Sequence, residues 1–153
     1  MKNIIVIGAG QAGASLAAKL RALGYDGALT LIGEEPAPPY QRPPLSKAYL
    51  MGEMEAERLW LRAPEFYSDH AITLKLGRRV TAIAPKAHKV TLGEEILSYD
   101  ALALTTGSQP RRLPASVGGN LEGVYTVRSL ADVDAMRAEF VKGRRVVIVG
   151  GGY

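Results

Sequence analysis

The stretch Ile4-Ile5-Val6-Ile7-Gly8-Ala9-Gly10-Gln11-Ala12-Gly13 decides the fold. Its first four residues are apolar and β-branched, the composition of a strand. The alanine- and leucine-rich stretch from Ala14 to Leu23 reads as a helix. A second apolar run, Ala28-Leu29-Thr30-Leu31-Ile32, ends at Gly33-Glu34-Glu35. The order is strand, glycine turn, helix, strand, with Glu34 about 20 residues beyond Gly13, the spacing of a dinucleotide-binding βαβ unit. Each position has a physical job. Gly8 allows the tight turn out of the strand. Gly10 lets the backbone approach a pyrophosphate where a Cβ would collide. Gly13 lets the helix pack close to the sheet. The helix N-terminus, with the N–H groups of Gln11, Ala12 and Gly13, offers unpaired donors and partial positive charge to phosphates. Glu34 is placed to accept hydrogen bonds from ribose hydroxyls. The motif alone does not separate NAD from FAD.

Composition narrows the class. The chain has 153 residues, 47% of them apolar, enough for a globular core. Its formal charge of +4 is dispersed, and Lys and Arg never run longer than two together. That suits an anionic cofactor or an acidic protein partner and lacks the clustering of a nucleic-acid surface. There is no cysteine, which excludes disulfides, thiolate metal sites and a redox-active thiol pair. No metal-ligating set is expected. No apolar stretch approaches the ~18 residues of a membrane span, and no signal h-region is legible. The cytoplasm is the default expectation.

Beyond Glu35 the stretch Pro36 to Pro44 holds five prolines in nine residues. It can be neither helix nor central strand. It is either a stiff linker or a rigid loop that holds Arg42 and Lys47 against a ligand. Leu45 to Met51 reads as a short helix. Trp60, the single tryptophan, reads as a packed anchor for the loop. Ala63 to His70 reads as a short helix with Phe66 and Tyr67 inward, and Ile72-Thr73-Leu74 as a strand. Val80 to Ile83, His88 to Leu92 and Glu95 to Leu97 are short strands parted by turn residues, an antiparallel meander. His70 and His88 have no acid or nucleophile nearby in sequence and read as surface or structural residues. Tyr99 to Leu104 reads as a buried strand, with Thr105 to Arg111 as the loop at its carboxyl end, where open α/β sheets bind ligands. Leu113 to Gly123 is a boundary loop. Val124-Tyr125-Thr126 reads as a strand. Ser129 is a good N-cap for an amphipathic helix carrying Leu130, Val133, Met136 and Phe140, closed at Lys142-Gly143. Val146 to Val149 reads as a second buried strand, followed by Gly150-Gly151-Gly152.

Pro39-Tyr40-Gln41-Arg42-Pro43-Pro44-Leu45-Ser46-Lys47, shortly after the glycine unit, resembles the flavin domain of the ferredoxin reductases of bacterial oxygenase systems. These are of the putidaredoxin reductase type, and apoptosis-inducing factor shares the pattern. The resemblance implies an α/β fold: a Rossmann-like parallel sheet with an inserted antiparallel β-meander, in a flavoprotein with two dinucleotide-binding domains. It implies FAD as cofactor, with Arg42 at the pyrophosphate, Glu34 on the adenosine ribose, and the Val80 backbone at the adenine. Lys47 would lie beside the flavin ring as the catalytic residue, usually paired with a carboxylate from later in the chain. Thr106, Gly107 and Arg111 would complete the FAD site. The family's usual Ala-Thr-Gly is here Thr105-Thr106-Gly107. Val146 to Gly152 resembles the opening of the family's second, nicotinamide-binding unit. The expected division is therefore an FAD-binding domain, first part, over residues 1–113, and the start of an NAD(P)-binding domain over 114–153. The sequence is expected to be a fragment, without the second half of the FAD domain, the C-terminal domain or a carboxylate partner for Lys47.

The activity so implied is an NAD(P)H:ferredoxin reductase. NAD(P)H delivers hydride to the flavin, and single electrons leave for a 2Fe-2S ferredoxin, its surface acidic, that serves an oxygenase. No protein nucleophile is needed, in keeping with the missing catalytic constellation. Two alternatives stay open at this point: a flavoprotein of binding or signalling role like apoptosis-inducing factor, or a truncated nucleotide-binding fragment without activity. No nucleic-acid or membrane partner is expected.

Overall fold

The computed structural model describes residues 2–150. They form two compact units, residues 2–41 with 56–108, and residues 42–55 with 109–150.

The first unit is built on β1 (Asn3–Ile7), the run that opens the chain. Helix α1 (Gln11–Ala22) follows it, then β2 (Ala28–Ile32), α2 (Pro64–Asp69) and β3 (Ile72–Lys75). A meander of β4 (Ala82–Ala84), β5 (Lys89–Leu92) and β6 (Glu95–Ser98) comes next, and then β7 (Ala101–Leu104). The parallel sheet has the order β3-β2-β1-β7, and the meander is a separate antiparallel sheet, β4-β5-β6. β1 pairs with β2 from Asn3↔Ala28 to Ile7↔Ile32 and with β7 from Ile4↔Ala101 to Ile7↔Leu104.

The two-residue period of β1 divides its side chains between two cores. Ile4 and Val6 join Ala17, Leu29, Leu31, Tyr67 and Ile72 on the helical side. Ile5 and Ile7 join Ile32, Val90, Leu92 and Tyr99 on the meander side. A strand covered on both faces is apolar throughout, the pattern that parallel sheets require. The meander is tied to the sheet end by Glu95, which accepts from Lys75 Nζ at 2.6 Å and from Arg78 Nη2 at 3.1 Å. The Lys75 hydrogen bond holds the Glu95 carboxyl below its ordinary range. The proline loop is braced too. Tyr40, buried, bridges Trp60 through the backbone, and Leu61 N–H donates to Pro39 O at 2.9 Å.

The second unit carries a 3-10 turn at Pro43–Ser46, further turns to Gly52, and helix α3 (Leu130–Arg137). A capping box starts α3: Ser129 Oγ accepts from Asp132 N–H at 3.2 Å, and the Asp132 carboxylate accepts from Ser129 N–H at 2.8 Å.

Five expectations need correction. The helix expected to carry Phe140 and to close at Lys142-Gly143 ends at Arg137, leaving Phe140 outside it and 46% exposed. The helix expected over Leu45 to Met51 is a 3-10 turn followed by separate turns, because Lys47 leaves helical angles at φ −129°, ψ −116°. Tyr99 to Leu104 is a strand only over Ala101–Leu104 and is half-buried, with Leu104 62% exposed, because among the described residues β7 is an edge with β1 as its one partner. Val124-Tyr125-Thr126 forms no strand. Val146 to Val149 is neither strand nor buried: among the described residues no strand pairs with it. Gly151, Gly152 and Tyr153, the rest of the second glycine motif, lie outside the described residues.

Candidate functional site

The sheet is parallel, so the carboxyl ends of β1, β2 and β7 share one edge, and the expected residues of the first unit gather there. The glycine turn leaves β1 at Gly8. Its φ is +108°, and a Cβ built there would stand 2.2 Å from Thr105 O, so strain and crowding both demand glycine. A Cβ on Gly13 would stand 2.0 Å from Gly8 O and 2.8 Å from Thr105 Oγ1, which is the close approach of helix to sheet that the sequence implies. Gly10 is different. Its φ of −92° suits any residue, and no protein atom lies within 4 Å of the place a Cβ would take. Nothing in the protein itself requires glycine at position 10, which opens onto free space before the helix.

That space faces the N-terminus of α1. The first bond onto the turn is Ala14 N–H to Gly10 O at 3.0 Å, which leaves the N–H groups of Gln11, Ala12 and Gly13 ahead of it. No side chain caps this end and no acid sits in its first turn. Gln11 and Ala12 are exposed. The result is a cradle of donors with a positive end and room in front, the chemistry that receives a pyrophosphate.

Around the cradle the structure brings together the loops that follow β2 and β7. Glu34, just past β2, accepts from Arg79 Nη1 at 2.6 Å. Glu35 accepts from Tyr40 Oη at 2.5 Å, so of the two acids Glu34 faces outward. Val80 and Thr106 line one open depression of about 380 Å³ together with Ile7, Thr81, Ala82, Ile83 and Leu104. Thr106 and Gly107 are exposed. Two participants escaped the sequence reading. Arg79 is one, and its only signal was its place before Val80. The other is the Thr105 hydroxyl, 3.0 Å from Ile7 O and 2.9 Å from Gly8 O, while Thr105 N–H also donates to Ile7 O at 2.8 Å. The departure from alanine at this position is thus a strap between β7 and the glycine turn.

Arg42, Lys47 and Arg111 belong to the second unit. Arg42 Nη1 donates to Arg128 O. Lys47 and Arg111 are exposed. No carboxylate among the described residues of that unit pairs with Lys47. The loop of Lys47 is anchored on α3 through Tyr49, whose hydroxyl donates to Asp134 Oδ1 at 2.7 Å and whose carbonyl accepts from Arg137 Nη2 at 2.5 Å. Burial, and then the Asp134 hydrogen bond, push the Tyr49 hydroxyl above its ordinary range. Among the described residues, no helix is long and apolar enough to cross a membrane.

The chain is 41% identical to rhodocoxin reductase of Rhodococcus erythropolis over 152 residues, covering 99% of this chain and 35% of that protein. It is 40% identical to putidaredoxin reductase of Pseudomonas putida, covering 99% of this chain and 36% of the relative. The chain thus spans little more than a third of the curated relatives it matches. Among solved structures it matches the crystal structure of the covalent putidaredoxin reductase–putidaredoxin complex, with TM-score 0.86, 39% identity, and coverage of 93% of this chain and 35% of that one. The family of pyridine nucleotide-disulphide oxidoreductases matches residues 2–153. Sheet order, inserted meander and glycine cradle agree with that match, and the chain belongs to the pyridine nucleotide-disulphide oxidoreductase family.

Proposed function

We propose that this chain is the flavin-holding part of an FAD-dependent NAD(P)H:ferredoxin reductase. Residues 1–113 would be the first part of the FAD domain, and residues 114–153 the opening of the NAD(P) domain. The observation that carries the reading is Gly10: a glycine the protein does not need, standing in open space before uncapped helix donors. The relatives called ferredoxin reductases support the activity. The absence of cysteine weighs against a disulfide-reducing member of the same family.

The chemistry of these residues supports an FAD. The N–H groups of Gln11, Ala12 and Gly13, beside Gly8 and Gly10, would hold the pyrophosphate, with Arg42 supplying a charged fork of donors. Glu34 would accept from the ribose hydroxyls. Val80 would meet the adenine with its backbone, and Thr106, Gly107 and Arg111 would close the site. Lys47 would place its ammonium at the ring, favouring an electron-rich neighbour. When bound, the flavin supplies the conversion of a two-electron hydride into single electrons. The electron acceptor would be an iron–sulfur ferredoxin, of the 2Fe-2S type and acidic on its docking face, complementary to the chain's net charge of +4. A cytoplasmic location belongs to the same proposal.

The test is to purify the protein that carries this chain, measure its flavin content, and follow NAD(P)H-driven reduction of a ferredoxin. Flavin in the wild type and its loss in Gly10→Val are the expected results. A protein that folds and takes up no FAD from solution sinks the proposal. If Lys47→Ala leaves hydride transfer unchanged, the role given to Lys47 is wrong.

A further inference from the structure

Glu34 and Arg79 meet because the backbone makes them neighbours. Gly77 N–H donates to Glu35 O at 3.0 Å and Arg78 N–H to Gly33 O at 2.9 Å, stitching the loop after β3 to the loop after β2. The neighbouring cations are already engaged: Lys75 and Arg78 both serve Glu95. Arg79 is left facing Glu34, with Nη1 2.6 Å from Oε1. The two side chains are 67% and 54% exposed, so the pair contributes little to folding. A carboxylate has about four lone-pair sites and this contact uses one. Arg79 also directly precedes Val80, which lines the depression at the carboxyl edge of the sheet.

We propose that Arg79 is a positioning residue for the adenosine half of the cofactor, holding Glu34 by Oε1 so that Oε2 is presented to the ribose hydroxyls. The inference rests on the reading of Glu34 as the ribose acceptor in an FAD site. The physical gain is preorganisation. A glutamate free on a loop must be immobilised when ligand binds, whereas one already tethered by a planar guanidinium has given up that freedom beforehand. Lysine at position 79 would keep the charge and lose the planar fork, so it should restore only part of the effect.

The experiment is titration of the apoprotein with FAD and with the FAD analogue whose adenosine lacks both ribose hydroxyls. Arg79→Ala should weaken FAD binding about fivefold, the scale of one immobilised side chain. It should leave the affinity for the dideoxy analogue and the thermal midpoint essentially unchanged. Arg79→Lys should fall between wild type and alanine for FAD. Combining Glu34→Gln with Arg79→Ala should cost no more than Glu34→Gln alone. Equal losses for FAD and the analogue would make Arg79 a general attractor of phosphate and overturn the proposal. Unchanged FAD affinity in Arg79→Ala would overturn it too. A wild-type protein without affinity for FAD overturns the flavin reading and this inference together, which the wild-type titration alone reveals.

Discussion

Ile4-Ile5-Val6-Ile7-Gly8 and Val146-Val147-Ile148-Val149-Gly150 are written in the same grammar: four β-branched residues, then glycine. They have opposite fates. The first is the inner strand β1, with its four apolar residues 7%, 1%, 0% and 8% exposed. In this chain, which spans little more than a third of the relatives it matches, the second makes no ladder among the described residues and is 53%, 89%, 83% and 73% exposed. Propensity is the same, so it cannot be the cause. β1 has β2 on one side, β7 on the other, helices on one face and the meander on the other. The later run has no such neighbours among the described residues. β-propensity measures the fit to a surface that other strands must supply.

The comparison can be broken most severely at the first glycine. Gly8→Ala adds a Cβ 2.2 Å from Thr105 O at a positive φ, and should cost about 4 kcal/mol from strain and overpacking together. Urea unfolding checks it, and an unchanged midpoint would show that the turn can shift to take a methyl. The strands themselves come next. Ile5→Ala empties a side chain that is 1% exposed and should cost about 2–5 kcal/mol. Ile148→Ala in the same chain should stay within about 0.5 kcal/mol. Equal losses from these two would mean that the later run is packed after all.

Thr105→Ala removes the hydroxyl that reaches Ile7 O and Gly8 O and should cost about 1 kcal/mol, with Thr105→Ser regaining most of it. If serine is no better than alanine, the methyl group matters and the strap does not. The smallest effect is at the other end of β1. Asp100 Oδ2 accepts from Lys2 N–H at 2.7 Å and Asn3 N–H at 2.9 Å, which holds its carboxyl below the ordinary value of 3.8. A depressed carboxyl adds stability above the unfolded value, and this is lost as pH falls through the lower folded value. Asp100→Asn should therefore be slightly less stable at neutral pH, and the gap should close in acid. A gap independent of pH would assign the loss to something other than the charge.

Much of the fold was legible because its signals are local. The apolar run of β1, the glycines, the alanine-rich helix and the turn residues of the meander each act within a few positions, and the family resemblance implied their assembly into a parallel sheet with an inserted meander. Ser129 announces α3 in the same way. What misled were three inferences whose partners the chain does not supply among the described residues: strands at Val124 to Thr126 and Val146 to Val149, and full burial for β7. The helix read at Leu45 to Met51 failed for a local reason, the departure of Lys47 from helical angles, which no spacing rule signals.

The candidate site divides along the same line. The sequence by itself determined the glycine cradle, the acid after β2 and the loop after β7, because spacing along a βαβ unit dictates which ends meet. Only the tertiary structure separated the glycines by cause: Gly8 is crowded by Thr105, 97 residues away, Gly13 by the Gly8 carbonyl and then by Thr105, and no protein atom crowds Gly10. Only it found Arg79 on Glu34 and the Thr105 hydroxyl on Gly8. Hydrogen bonds between residues 45 or 97 positions apart leave no periodic trace in a chain; they exist once the sheet has brought the strand ends side by side.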